Sequence, residues 1–233
     1  MPAYNASTFI QESIDSVLAQ DYDSFELLIA DDASRDDTFN VIKEYKGHPK
    51  VGIYRNRKNL GPGATRNRLI KLARGRYISP CDADDIMLPR NLLVLSQFLD
   101  SHPNIGAVYG DVLVMGMDRK GRITNAPYLL GTDYKRGWDL TINLINHGGS
   151  LIKKTAIRKA GGYDENVRTA VDWSLWLKLS EITKVKYLKD EVYYVYRKGP
   201  HGVSSMHLQK WRGSVLKVLG AAIKRRYDFE FGT

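Results

Sequence analysis

Three aspartates stand together in the turn "SPCDADDIMLPRN" of a chain whose formal net charge is +9. Asp82 and Asp84 point to the same side wherever the chain is extended, because strand side chains alternate. Two carboxylates so placed repel each other unless a proton or a cation lies between them. Mg²⁺ and Mn²⁺ prefer oxygen ligands and often take one or two carboxylates together with substrate phosphates. The turn is therefore either a divalent-metal site or a solvated turn, with Asp85 serving the start of the next helix.

Two further aspartates, Asp31 and Asp32, follow the apolar run "FELLIA", as they would at the end of a buried parallel strand. They could cap the next helix, because acidic groups favour a helix amino terminus. Alternatively, one carboxylate points into a crevice and accepts a hydrogen bond from a nucleobase N–H or a ribose hydroxyl. Both interpretations stay open at this point.

The segment "NLGPGATRNR" has the glycines of a tight phosphate-binding turn but lacks the Lys-Ser/Thr pair of a P-loop. Arg66 would lie on the first turns of the helix that begins at Pro62, within reach of a diphosphate. The alternative is that Arg66 and Arg68 are ordinary solvated charges.

A single carboxylate, Asp172, stands at the start of the helical segment "DWSLWLKL". As a helix cap it would need no further explanation. As a functional group it would be a general base, because a carboxylate can take a proton from a hydroxyl nucleophile.

Helices and strands alternate along the first half of the chain and would position these residues. A capping box at Thr8–Gln11 predicts a helix to about Gln20, Ser34 is a plausible cap for the next helix, and Pro89 fits the first turn of a helix that ends near Asp100. The alternation predicts an α/β fold with a mostly parallel, Rossmann-like sheet flanked by helices. Ligands bind beyond the carboxyl ends of such strands, so the turns at "PAYN", Asp32 and Asp82 would face one crevice.

The start and the second half of the chain are less regular. "MPAYN" leads almost at once into the first helix, so the first strand is expected to be truncated. We predict one domain with a nucleotide-binding part (about 1–112), an irregular acceptor-binding part (about 113–205) and a basic helical tail (206–233).

Composition narrows the class of protein without naming it. Of 233 residues, 43% are hydrophobic and 26% charged, as in a soluble globular protein, and no apolar run is long enough to span a bilayer. The one cysteine, Cys81, excludes an intramolecular disulfide and favours a reducing cytosol. The positive charge fits nucleic acid, an anionic lipid surface or phosphorylated small molecules.

Taken together and in order, "PAYN", "FELLIADDAS", "NLGPGATRNR", "YISPCDADDIMLP" and "VDWSLWLKL" resemble the family 2 glycosyltransferases of GT-A fold. The resemblance covers about residues 2–179. Each motif is weak alone, whereas the ordered set is specific.

The resemblance implies a role for each matching position. Pro2 and Tyr4 would line a nucleobase pocket, and Asp32 would hydrogen-bond the base, most often uracil. Arg66 would lie near the nucleotide and sugar, and Asp82 would contact the ribose or sugar. Asp84 would bind Mn²⁺ or Mg²⁺, which also binds the diphosphate. The remaining assignments are Asp172 as catalytic base, His201 in a loop that closes over the diphosphate, and His147 and Trp173 as acceptor-side candidates that could equally be packing residues.

The implied reaction is an inverting transfer of a sugar from a nucleotide-diphospho-sugar to a hydroxyl of a glycan or lipid-linked acceptor. Such a chain would work in the cytoplasm, with peripheral association at the inner face of the membrane if the basic tail binds lipid. The chain departs from the family at the truncated first strand, at Val171, where many members are acidic, and in having no transmembrane segments after the domain. The last departure favours a single-transfer enzyme over a processive synthase.

Two other classes of protein remain as alternatives. A nucleotidyltransferase acting on sugar phosphates would share the crevice, metal and nucleotide, but its usual glycine-rich, arginine-lysine opening is absent. A non-catalytic nucleic-acid binder is suggested by charge alone. No nucleic-acid-reading motif is present, and acidic residues crowd the crevice, so we expect no nucleic-acid partner.

Overall fold

The computed structural model describes residues 1–118, 122–133, 138–143, 145–199 and 208–227. The strands are β1 (Pro2–Ala3), β2 (Leu27–Asp31), β3 (Val51–Arg55), β4 (Tyr77–Ile78), β5 (Ile86–Met87), β6 (Ile105–Gly116), β7 (Tyr128–Leu130), β8 (Ser150–Lys153) and β9 (Lys184–Lys198). The α-helices are α1 (Ile10–Leu18), α2 (Thr38–Glu44), α3 (Pro62–Leu72), α4 (Asn91–Ser101), α5 (Lys154–Lys159), α6 (Val171–Ile182) and α7 (Leu208–Tyr227). A short 3-10 helix spans Trp138–Leu140.

These strands form two sheets. β1, β2 and β3 make a parallel sheet in that order, as the alternation of helices and strands predicted. The other sheet has the order β4-β8-β6-β9-β5, with β7 paired to β6. It is mixed, because β8 runs antiparallel to both β4 and β6 while β9 runs parallel to β6. The prediction of one mostly parallel sheet is thus corrected, because the irregular segment after β6 returns the chain in the opposite direction.

The first strand is short, as expected: β1 has two residues and pairs only with Ala30 and Asp31. The Met1 amine donates to the Leu28 carbonyl at 2.8 Å. A cavity of about 380 Å³, lined among others by Leu28, Ile70 and Ile78, extends between β2 and β4. Among the described strands no ladder joins the two sheets, and side chains of both, such as Ile29 and Val112, pack in one core cluster.

Three predicted helix starts are wrong. Helix α1 begins at Ile10 without a side-chain cap, so the capping box at Thr8 does not form. The Ser34 hydroxyl accepts from the Asn5 N–H at 3.0 Å and does not cap α2, whose cap residue is Asp37. The Ser34 hydroxyl is thus used to join the turns after β1 and β2. Pro89 lies before α4, which begins at Asn91.

Helix α6 forms the centre of the second half, with Leu175, Trp176 and Leu179 fully or almost fully buried. Helix α7 packs on it through Val218 and Ala222, close to the predicted basic tail helix. Within the part of the chain that the structure describes, no helix combines the length and apolarity needed to cross a membrane.

Candidate active site

The turn after β2 holds Asp32, whose side chain is 3% exposed. Its carboxylate accepts from the backbone N–H groups of Leu60 and Gly61, both at 2.8 Å, and from Asn56 Nδ2 at 2.6 Å. Gly61 has a φ of 90°, which favours glycine, and it precedes the first residue of α3. Asp32 therefore fixes the glycine-rich turn that carries Arg66, and it does not cap the helix after it.

A shallow cavity of about 370 Å³ lies beside this turn. It is lined by Ala33, Ser34, Arg55, Asn56 and Arg57, at the carboxyl ends of β2 and β3. Such a location is where open α/β sheets bind ligands. Tyr4, on the neighbouring turn after β1, is 46% exposed and free to pack on a planar group.

Left-handed backbone conformations accompany three of the candidate residues. Asn5 (φ 51°), Ala33 (φ 61°) and Ala170 (φ 54°) each lie one or two positions from Tyr4, Asp32 or Asp172. Ala170 is the N-cap residue of α6 and precedes the helix that carries Asp172. Alanine pays roughly 1–2 kcal/mol for this conformation, and such strain concentrates at functional sites.

Arg66 and Asp82 form an ion pair across the crevice, and the Arg66 side chain is only 13% exposed. Burial alone would raise the pKa of Asp82, but the Arg66 guanidinium outweighs it and holds that pKa below its usual value. Burial alone would lower the pKa of Arg66, yet Asp82 and, more weakly, Asp172 raise it. Arg66 is thus no solvated charge: it lies between the acidic turn and α6.

Asp84 and Asp85 have different surroundings although they are adjacent. Asp85 is 2% exposed and accepts from the Arg197 N–H at 2.8 Å, so it ties the turn to the end of β9. Asp84 is half-buried, and burial together with the Asp82 charge raises its pKa to about 6. A carboxylate that is costly to ionise and faces a second carboxylate is suited to a cation.

The fit to a divalent metal follows from this carboxylate set. Within residues 1–118, 122–133, 138–143, 145–199 and 208–227, no group of three or more His, Cys, Asp or Glu residues could hold a metal ion by itself. Mg²⁺ commonly uses one or two carboxylates and completes its shell with water and substrate phosphates. The pair Asp82 and Asp84, of which Asp82 already has a cationic partner, fits that use, with Asp84 as the protein ligand.

Asp172 lies in the first turn of α6 and is half-buried. The N-cap position belongs to Ala170, so the capping interpretation of Asp172 is wrong. Its Oδ2 accepts from Asn143 Nδ2 at 2.9 Å. Asn143 comes from the irregular segment after the 3-10 helix, where no periodic pattern in the sequence marked it.

Comparison with sequence profiles of known families assigns the chain to a family. The sequence profile described as "Glycosyl transferase family 2" matches residues 1–161, more than half of the chain. The chain belongs to glycosyl transferase family 2. Asp32, Arg66, Asp82 and Asp84 lie inside the matched segment, whereas Asp172 lies beyond it.

Individual relatives support the family assignment. The chain is 31% identical over 194 residues to a chondroitin synthase of Escherichia coli, covering 83% of this chain and 28% of that protein. The structure of Staphylococcus aureus TarS in complex with UDP-GlcNAc has a TM-score of 0.73 at 21% identity and covers 98% of this chain and 66% of that one. The mannosyltransferase PcManGT of Pyrobaculum calidifontis, in complex with GDP-Man and Mn²⁺, gives 0.67 at 20% identity, covering 100% and 64%. These structures establish the α/β GT-A fold of this family 2 chain, which spans less than a third of the chondroitin synthase.

Two acceptor-side candidates of this family 2 chain are buried. His147 is 8% exposed, with Nε2 2.7 Å from the Tyr163 hydroxyl, and Trp173 is 6% exposed and donates from Nε1 to the Asp139 carbonyl at 2.7 Å. The sequence analysis did not identify Tyr163, whose ring lies against the Arg66 guanidinium. Contact of His147 or Trp173 with an acceptor remains a prediction, and His201 lies outside the described residues.

The Arg66–Asp82 pair gives a prediction about stability. We expect Arg66→Ala to lower the free energy of unfolding by about 2–3 kcal/mol, because it leaves a partly buried carboxylate without its partner. The matched control is Arg74→Ala, since Arg74 is 84% exposed in its pair with Glu26. That pair is worth at most about 1 kcal/mol. Equal losses in urea-unfolding experiments would contradict the assigned role of Arg66.

His147 gives a prediction about pH. Burial, and next the Arg66 charge, lower the pKa of His147 from 6.5 to about 4, while Asp172 and Asp82 oppose the shift. Between these values the unfolded chain binds more protons than the folded one, so stability rises with pH from about 4 to 6.5. We expect His147→Asn to flatten this rise in urea-unfolding free energies measured between pH 4.5 and 7. The exposed His102 is the control, and a slope unchanged in His147→Asn but altered in His102→Asn would refute the prediction.

Proposed function

We propose that this family 2 chain is a metal-dependent, inverting glycosyltransferase that moves a sugar from a nucleotide-diphospho-sugar to an acceptor hydroxyl. The observation that carries the proposal is the position of Arg66. It pairs with Asp82 of the acidic turn, and Asp172 of α6 is close enough to contribute to its raised pKa, which supports placing both acidic groups in one crevice. The reaction needs one carboxylate that binds the donor and a second carboxylate that can accept a proton.

The donor would occupy the edge where β1, β2 and β3 end. Pro2 and Tyr4 would face the nucleobase, with Asp32 as its hydrogen-bonding partner, beside the cavity that Arg55 and Arg57 line. In the structure Pro2 itself lines the cavity between β2 and β4. We infer a UDP-sugar, supported by the UDP-GlcNAc complex of TarS, although the GDP-Man complex of PcManGT makes the base an experimental question. The Asp32 carboxylate already accepts three hydrogen bonds, and a carboxylate has capacity for about four.

Charge separation accounts for the chemistry. A bound Mn²⁺ or Mg²⁺, held by Asp84, would supply Lewis-acid stabilisation of the leaving diphosphate. Asp172 takes the proton from the acceptor hydroxyl, and Asn143 holds its carboxylate in place while it does so. Arg66 keeps Asp82 ionised beside the ribose or sugar. Attack from the face opposite the diphosphate inverts the anomeric carbon and needs no covalent sugar–enzyme intermediate.

A screen of nucleotide-sugars with Mn²⁺ tests the proposal. Release of a nucleoside diphosphate in the presence of acceptor supports glycosyl transfer, whereas pyrophosphate indicates a nucleotidyltransferase. Salt-dependent retention on DNA that nucleotide-sugars leave unchanged would favour a nucleic-acid binder. Similarity to a chondroitin synthase supports the choice of glycan and lipid-linked acceptors for this screen, as in polysaccharide or glycoconjugate synthesis.

We infer a cytoplasmic enzyme that works at the inner face of a membrane, and the outer face of α7 supports this. Trp211 (42% exposed) and Leu216 (69% exposed) lie among the exposed cations Arg212 and Lys217. Apolar side chains flanked by cations favour an anionic lipid surface. We expect anionic liposomes to retain the protein at low salt and to release Leu216→Ser. Absence of retention would leave the basic face as a solvated surface.

A further inference from the structure

Arg226, near the end of α7, is an arginine that the reaction described above does not use. Its side chain is 3% exposed and meets Asp139 with two hydrogen bonds, 3.0 Å to Oδ1 and 2.7 Å to Oδ2. It also donates to Ser180 Oγ at 2.9 Å and to Glu181 Oε1 at 3.1 Å, both on α6. A bidentate arginine–carboxylate pair fixes orientation as well as distance.

Asp139 passes this constraint toward the crevice in two ways. Its carbonyl accepts from Trp173 Nε1 at 2.7 Å, and Trp173 is the residue directly after Asp172. Four residues beyond Asp139, Asn143 donates to Asp172 Oδ2 at 2.9 Å. The segment 138–143 thus contacts the first turn of α6 through both Asp139 and Asn143. Arg226 binds this segment through the Asp139 carboxylate.

We propose that Arg226 is a positioning residue: through Asp139 it fixes the segment 138–143 and so the orientation of the Asp172 carboxylate. The proposal rests on the proposed function, in which Asp172 is the base. Without Arg226, the Asp139 carboxylate is buried without its cationic partner, which favours its movement toward water. The segment then moves outward and takes Asn143 with it, and a base misplaced by about 1 Å can lower the rate about 100-fold.

The rival explanation is that Arg226 only attaches α7 to the protein. Arg225 separates the two ideas, because it also joins α7 to α6 but does not touch Asp139. Its Nε and Nη2 donate to the two oxygens of Glu181 at 2.8 Å and 3.0 Å. Arg225→Gln therefore weakens the attachment of α7 and leaves the segment 138–143 in place.

The test compares Arg226→Gln with Arg225→Gln in the full chain. We expect Arg226→Gln to lower kcat about 10- to 100-fold with donor KM within about twofold of the wild type, and Arg225→Gln to leave both within about twofold. Combining Arg226→Gln with Asn143→Ala should lower kcat no further than the worse single variant, because both act through one contact. Equal losses in the Arg225 and Arg226 variants, or additive losses in the double variant, would overturn the proposal.

Two measurements keep the outcome decisive. Arg226→Lys retains the charge without the bidentate geometry, so it should fold and lose part of kcat; wild-type kcat in this variant would overturn the role of the paired hydrogen bonds. Hydrogen exchange of 138–143 reports on the segment without turnover, and Arg226→Gln should speed it while Arg225→Gln does not. A wild-type protein that transfers no sugar refutes the proposed function, and unchanged exchange refutes the positioning role.

Discussion

Asp84→Asn is expected to lower the Mn²⁺-dependent affinity for the nucleotide-sugar by at least about 100-fold, since even residues behind metal ligands are worth about 10- to 100-fold. Asparagine keeps the size of the side chain but removes the charge that a divalent ion requires. The half-buried position and raised pKa of Asp84 mean that removing this charge should not destabilise the fold. Titration calorimetry with the donor, with Mn²⁺ and with EDTA, measures the effect.

Two other aspartates serve as controls for this experiment. Asp23, whose side chain is fully exposed, should tolerate asparagine without effect on binding. Asp85→Asn should leave both stability and the Mn²⁺ dependence close to wild type, because burial raises the pKa of Asp85 and an asparagine Oδ1 can still accept from the Arg197 backbone N–H. If Asp84→Asn still bound donor with undiminished Mn²⁺ dependence, the metal assignment would be wrong.

The second large effect is expected at Asp172. Asp172→Asn should lower kcat about 10²- to 10⁴-fold, the range that a general base contributes. Donor affinity and the free energy of unfolding should stay close to wild type, because the side chain is half-buried and its one described hydrogen bond is to Asn143. Single-turnover transfer, with donor binding measured separately, distinguishes lost chemistry from lost binding.

Glu165→Gln is the matched control, since Glu165 is an exposed carboxylate just before α6 that accepts from Asn67 Nδ2 at 2.8 Å. It should transfer sugar normally. Full transfer by Asp172→Asn would show that Asp172 is not the base. The family profile gives no independent support for this residue, because its match ends at residue 161.

Residue type and order were enough to predict the α/β class, because strands end at acidic or glycine-rich turns that a parallel arrangement brings together. The family was predicted from the resemblance of the ordered motifs. The three-stranded parallel sheet follows the prediction for this reason. Side-chain partners could not be predicted in the same way. Ser34 has the properties of a helix cap, yet it accepts from Asn5, a choice that depends on how two distant turns meet.

The second half was harder to predict because its contacts are not periodic. Asn143 reaches Asp172, and Tyr163 reaches His147, from segments between helices and strands. Nothing in their spacing distinguishes them from other polar loop residues. The mixed order of the second sheet has the same origin, since the direction in which β8 runs depends on the irregular segment before it.

The three left-handed residues beside the site bear on how this protein could be made more heat-resistant. Ala33→Gly or Ala170→Gly would remove a conformational strain of roughly 1–2 kcal/mol from the folded backbone. Glycine would also increase the conformational entropy of the unfolded chain, which offsets about 0.5–1 kcal/mol of that gain. The same change would widen the range of orientations open to Asp32 and Asp172. Directed evolution for thermostability should therefore yield active variants when the substitutions lie far from these turns. Variants with glycine in these turns should have a lower kcat.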